Sequence, residues 1–171
     1  DAGAPDPAAI LSLEGGKLVE TTVLADGGQV EFTFPGPEAT GTATMTLRAP
    51  DGSALVQDVV LADQVQGIDL DVTALEGGDF VVAYSEGGDI TYQVFGADGS
   101  ALTGPELMGH RAGMSGTLNT HPEILATSDG GFTIFYADQY GNDTLRAQSF
   151  DGAGVPVGED REIMDRTVLE P

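Results

Sequence analysis

Asp129-Gly130-Gly131-Phe132-Thr133-Ile134-Phe135-Tyr136 is a glycine turn that opens into an apolar run carrying aromatic residues. Glycine supplies the turn, and an aromatic and β-branched run of this length is strand-forming. The same order recurs upstream. Glu76-Gly77-Gly78 precedes Phe80-Val81-Val82-Ala83-Tyr84, and Asp26-Gly27-Gly28 opens a weaker copy before Val30-Glu31-Phe32-Thr33-Phe34. A second mark follows one strand later. Gln93-Val94-Phe95 and Gln148-Ser149-Phe150 each lead into another Gly turn, and Asp-Gly-Ser-Ala-Leu occurs at both 51–55 and 98–102. The step from Gly27 to Gly77 to Gly130 is about 50 residues. Units of this size cannot bury a core alone and must stack.

Each unit divides into short strands. In the first, 18–24, 30–34, 42–48 and 54–61 are strand candidates, with Ala43, Met45 and Leu47 on one face. The alternation at 30–34 is the period-two pattern of a half-buried strand, and Pro35-Gly36-Pro37 ends it. In the second, 68–75, 80–84, 90–95 and the short 102–108 fill the same places. In the third, 123–126, 132–136 and 144–150 do so, and the tail from Arg161 to Pro171 is a candidate last strand. Phe80, Val82, Tyr84, Phe132, Ile134 and Tyr136 read as core. The expected fold is all-β, with three four-stranded antiparallel repeats arranged as β-propeller-like blades. A β-trefoil or a three-sheet prism also fits the count. The divisions are a lead-in segment at 1–16, then repeats at 17–66, 67–119 and 120–171, in one domain. Within the lead-in, Pro7 to Leu13 is a weak helix candidate.

Composition bounds the function. The chain has 171 residues, 40% of them hydrophobic, which suffices for a core. Six Lys and Arg face 28 Asp and Glu, a formal charge of −22. Such a surface repels phosphate backbones and anionic lipid, so nucleic acid and the membrane surface are not expected partners. No run of about 18 apolar residues is present, so no membrane insertion is expected. With no Cys there is no disulfide, thiolate metal site or Cys nucleophile. Opening at Asp1 without Met, the chain is expected to be a mature form or a segment of a longer protein.

The candidate functional residues lie where the copies differ. Asp138, Asn142 and Asp143 share a loop with Gly141, and hard oxygen ligands spaced around a Gly suit calcium. Asp69 and Asp71 alternate on one strand face and are a second, weaker cation candidate. His110, Arg111 and His121 bracket the connection between the second and third repeats, where ligands dock on propeller faces. Two His with no third ligand make no zinc motif. Tyr140 is the loop aromatic placed for sugar stacking. No Gly-x-Ser-x-Gly elbow or phosphate loop is present.

Two resemblances follow from these motifs. Thr127 to Ile134 resembles the sialidase-type Asp box, Ser/Thr-x-Asp-x-Gly-x-Thr-Trp, with Ile134 in place of the aromatic. In propellers that box is a structural turn. The second and third repeats resemble the blade-like repeats of large secreted bacterial proteins associated with type I secretion. Pro122, Asp129 to Phe132, the Asp138 to Asp143 loop, Gln148-Ser149-Phe150-Asp151, Gly154 and Val157-Gly158 carry that likeness. Gln93, Phe95 and Gly99 carry it in the second repeat, while Leu47 replaces the Phe in the first. The resemblance implies an extracellular or cell-surface bacterial repeat module and implies no particular catalytic activity. The expected role is structural, adhesive or assembly-forming, with a protein partner or copies of itself. A lectin-like carbohydrate-binding module and a partial propeller of a secreted hydrolase are the alternatives.

Overall fold

A computed structural model describes residues 10–14, 17–24, 26–35, 40–66, 70–86, 89–108, 119–138 and 144–165. Its described residues form thirteen strands and no helix. These are β1 (Ile10–Glu14), β2 (Lys17–Val23), β3 (Gln29–Pro35), β4 (Thr40–Arg48), β5 (Ala54–Gln66), β6 (Leu70–Ala74), β7 (Phe80–Glu86), β8 (Asp89–Phe95), β9 (Glu106–Met108), β10 (Asn119–Ala126), β11 (Phe132–Asp138), β12 (Thr144–Phe150) and β13 (Pro156–Asp165). They make three antiparallel sheets, each a meander in chain order: β1 to β5, β6 to β9, and β10 to β13. Three meandering sheets are the blades expected from the repeats, and the fold is β-propeller-like.

Two details differ from the sequence reading. Ile10 to Leu13, the end of the helix candidate, is strand: β1 pairs with β2 from Ile10↔Thr21 to Glu14↔Lys17. A free sheet edge offers this segment a full set of backbone partners, which outweighs a weak helix propensity. The first sheet therefore has five strands. In the third, the last strand begins at Pro156, ahead of the Arg161 tail. Proline is tolerated there because it is the first residue of an edge strand.

The turns explain why the words repeat. In each first turn an amide reaches across to the fifth residue: Leu24 N to Gly28 O, Leu75 N to Asp79 O, Thr127 N to Gly131 O. The fourth residue, Gly27, Gly78 or Gly130, has φ of +85°, +95° or +85°. This is the hairpin loop in which a residue must enter the left-handed region, so glycine is required.

The chain divides into two compact units. The first holds β1 to β5, with the turn at 96–100 grouped with it. Alternation on β3 buries Val30, Phe32 and Phe34, and across the ladder Ala43, Met45 and Leu47 are buried beside them. The opposite face carries Glu31, Thr33, Thr44 and Arg48, all partly exposed.

The second unit holds β6 to β13, two sheets packed face to face. Val81, Ala83, Ile90, Tyr92, Val94 and Met108 of one meet Ile124, Phe132, Ile134, Tyr136 and Phe150 of the other. Tyr92 sits on Phe150 and Phe132, with ring centroids 4.6 and 6.3 Å away. Its hydroxyl donates to Gly154 O at 2.9 Å. Burial and the nearby acids push its pKa up to about 12. In the second and third sheets the Phe of the repeated Gln-x-Phe tripeptide packs on the first aromatic of the neighbouring strand, and Phe132 and Phe150 belong to this core. Phe95 stacks on Phe80 at 5.3 Å and Phe150 on Phe132 at 5.0 Å. The Gln93 amide donates to Thr103 O at 2.9 Å, and the Gln148 amide to Ser149 O at 2.8 Å and to Gly158 O at 3.3 Å. Each buried Gln thereby satisfies its amide against backbone at the approach to the last strand.

Candidate functional site

The carboxylates of the repeated turns are engaged in the turns themselves. Asp26 accepts from Gly28 N at 2.8 Å, Asp51 from Ser53 N at 2.9 Å, and Asp98 from Ser100 N at 2.9 Å. Asp129 accepts from the Thr127 hydroxyl and from Gly131 N, and Asp151 from Ala153 N and Val155 N. Hydrogen bonds from the side chain and backbone of Ser53 hold Asp51 below the usual carboxylate range, and Ser100 does the same for Asp98. Thr127 and Gly131 lower Asp129. The Asp-box-like stretch is therefore a self-capped hairpin turn.

Asp71 is engaged likewise. One oxygen accepts Val72 N at 2.8 Å, and the other accepts Ile124 N at 2.5 Å from the facing sheet. Beside it, the Thr73 hydroxyl donates to Ile124 O at 3.1 Å. Asp71 joins two sheets. Asp69, its expected partner in a cation site, lies outside the described residues.

Of the residues singled out for binding, the structure describes two. Asp138 is buried at the end of β11, opposite Thr144. His121 is exposed on β10 at an irregularity between Thr120 and Glu123, with φ of +54°. His110, Arg111, Tyr140, Asn142 and Asp143 lie outside the described residues. Among the described residues, no three His, Asp or Glu side chains are grouped to hold a metal.

A polar cluster missed by the sequence reading lies inside the second unit. Tyr136 on β11 and Arg146 on β12 are register partners. Both reach Asp160 on β13. The Tyr136 hydroxyl donates to Asp160 Oδ2 at 2.8 Å, and Arg146 Nε donates to the same oxygen at 3.0 Å. The Arg146 guanidinium pairs there again at 3.0 Å. Asp160 Oδ1 is buried and takes no hydrogen bond among the described residues. Burial first, then the bond to Asp160, pushes the Tyr136 phenol well above its ordinary value. Burial opposes the charge on Arg146, but Asp160 and Tyr136 outweigh it and raise its pKa. Tyr136 and Arg146 share the one oxygen of Asp160, so the cluster ties three strands. Its sequence signal was Arg146 itself, a scarce cation sharing a strand face with Gln148 and Phe150.

The outward face of the third sheet is open along its edges and at its Leu145 end, while Thr133 and Ala147 within it are 8% and 1% exposed. Its register makes three rows. Leu125, Thr133, Ser149 and Val157 form the first; Glu123, Phe135, Ala147 and Arg161 the second; Ala137, Leu145 and Met164 the third. The turn alignment sets these against the second sheet, where Ile90 matches Leu145 and Met108 matches Met164. Ile90 and Met108 are 0% and 7% exposed beneath the third sheet, whereas Leu145 and Met164 are 37% and 48% exposed. Leu125 and Val157, at the two edges, are 61% and 57% exposed.

Comparison with known proteins supports the fold. No family model matches the chain, and no curated protein matches it. Among solved structures it is similar to an endo-arabinase from Bacteroides thetaiotaomicron, a propeller fold, at TM-score 0.51 and 11% identity. That alignment covers 95% of this chain and 82% of the arabinase. A structure of BBS1N in complex with ARL6DN aligns at TM-score 0.38 and 14% identity, over 92% of this chain and 57% of the other. The arabinase likeness bears on architecture alone.

Proposed function

We propose that this chain is a non-enzymatic assembly module of β-blades that binds protein through the outward face of its third sheet. The observation that carries this reading is the contrast between equivalent positions. Ile90 and Met108 are covered by a neighbouring sheet, while Leu145 and Met164 at the same places are open. A sheet with apolar side chains on both faces is built to be covered on both. The described carboxylates of the repeated turns act within their own turns. The extracellular bacterial setting implied by the blade-like repeats belongs to this proposal, and the acidic surface would restrain indiscriminate association there.

Light scattering across a wide concentration range tests it. Self-association or capture of a defined partner is expected. A strict monomer without a partner, at every concentration, counts against the module. The second reading is carbohydrate binding, which the likeness in fold to an endo-arabinase favours. A glycan array with and without calcium tests that reading, and absence of binding in both removes it.

A further inference from the structure

We infer that the partner of the third sheet's outward face is the same face of a second copy, in a two-fold dimer. The inference rests on the assembly reading above and names its partner.

The rows carry the argument. A two-fold axis lying between two such faces and running along their strands keeps each row at its own height and reverses its order. Residues at the two ends of a row then meet. Glu123 falls on Arg161 of the second copy, and Arg161 on its Glu123. Phe135 falls on the strand at Ala147, which is 1% exposed and already covered within its own sheet. Thr133 falls on Ser149, Leu125 on Val157, and Leu145 on Ala137. The exposed ends of the first two rows are complementary, Glu123 with Arg161 in charge and Leu125 with Val157 in polarity, as an isologous interface demands.

The second sheet shows what these positions do when covered. Asp71 stands where Glu123 stands in the third sheet, and its carboxylate takes the Ile124 amide of the covering sheet. Tyr92 stands where Ala147 stands, and its ring fills the space against Phe132 and Phe150. In the third sheet the acid is longer, the ring is gone, and Arg161 replaces Glu106 at the row's end. The replacement of Glu106 by Arg161 gives Glu123 a counter-charge across the axis.

The face spans four strands and three rows, on the order of 400 Å² a side from strand and residue spacings. About 800 Å² in total is below the standard interface, so the dimer is weak and forms at high micromolar concentration. The charge of −22 on each copy opposes it. At about 0.15 M salt the Debye length of about 8 Å damps that long-range repulsion and leaves the contact pair effective.

The test is sedimentation equilibrium on wild type, Glu123→Arg and Arg161→Glu, with circular dichroism to confirm folding. Each variant places like charges together twice in its own homodimer. Its dissociation constant is expected to rise at least about tenfold. An equimolar mixture of the two variants restores opposite charges at both contacts, so the mixed dimer is expected to return to near wild-type affinity. A dimer that ignores both variants, or a mixture that fails to recover, overturns this interface and leaves the assembly reading standing. A wild type that never associates, with itself or with a partner, overturns both. Association only with a different protein, through Leu145 and Met164, overturns the second copy as occupant.

Discussion

Replacing Asp160 by alanine tests the tie that joins β11, β12 and β13. The variant leaves the Tyr136 hydroxyl without its acceptor in a residue that is 1% exposed. It also leaves the Arg146 guanidinium without its counter-charge, in a side chain 13% exposed. An unsatisfied buried hydroxyl costs about 1–3 kcal/mol. Removing one partner of a buried ion pair costs about 3–5 kcal/mol, and the 30% exposure of the Asp160 side chain places this pair at or below the lower end. A loss of about 3 kcal/mol is expected, measured by urea unfolding followed by circular dichroism. Tyr136→Phe keeps the ring in the core and removes one donor, for a loss of about 1 kcal/mol. Because both residues share one oxygen, the double variant should lose about 1 kcal/mol less than the sum. A loss below about 0.5 kcal/mol for Asp160→Ala, or strict additivity with Tyr136→Phe, would refute the tie.

Three further outcomes follow from single positions. A Cβ on Gly131 would strike the Phe150 carbonyl, whereas one on Gly104 meets nothing within 4 Å. In urea unfolding Gly131→Ala should lose more than about 1 kcal/mol, and Gly104→Ala should stay within about 0.5 kcal/mol of wild type. Tyr92 has a folded-state pKa raised from 10.0 to about 12, so the unfolded chain releases this proton first as pH rises. Stability from this group is intact below pH of about 10 and lost between about 10 and 12, and Tyr92→Phe should flatten that decline in urea midpoints taken along a pH series. Gln148→Ala removes the amide that donates to Val157 O and Gly158 O near the start of β13, and a loss of about 1–2 kcal/mol is expected by the same urea assay.

The fold was largely legible because its signals are local. A glycine at a left-handed turn position and an alternating apolar run are each decided within a few residues, and both recur. Phe80, Val82, Tyr84, Phe132, Ile134 and Tyr136 were readable as core, and all six are buried. The strand at Ile10 was not legible, because its warrant is the free edge of β2 rather than its own sequence. The start of β13 was hidden by irregular pairing. Val157 opposes Ser149 and Arg161 opposes Ala147, so three residues on β13 face one on β12. Gly158, at φ of +77°, lies in that bulge and breaks the period of two. The Tyr136, Arg146 and Asp160 cluster was illegible for a related reason. Its third member lies beyond the bulge, where strand parity no longer says which face a residue occupies.

Repetition and function divide along the same line. A residue that returns between copies does what those copies share. The turn aspartates cap, the glycines turn, the glutamines hold backbone, and the phenylalanines stack. A difference at an equivalent position is where one copy departs from that shared task. Asp71 against Glu123, Tyr92 against Ala147, and Glu106 against Arg161 all fall in one row of one face. The second sheet carries acids at both ends of this row, Asp71 and Glu106, whereas the third carries Glu123 and Arg161. A positive charge is scarce in this chain, with six Lys and Arg against 28 Asp and Glu. On β12 and β13, Arg146 is turned inward to tie strands, and Arg161 is exposed on the open face. A cation placed on the exposed face of an otherwise acidic protein matters most to an approaching acid, and Glu123 at the far end of the same row is the acid that a second copy brings.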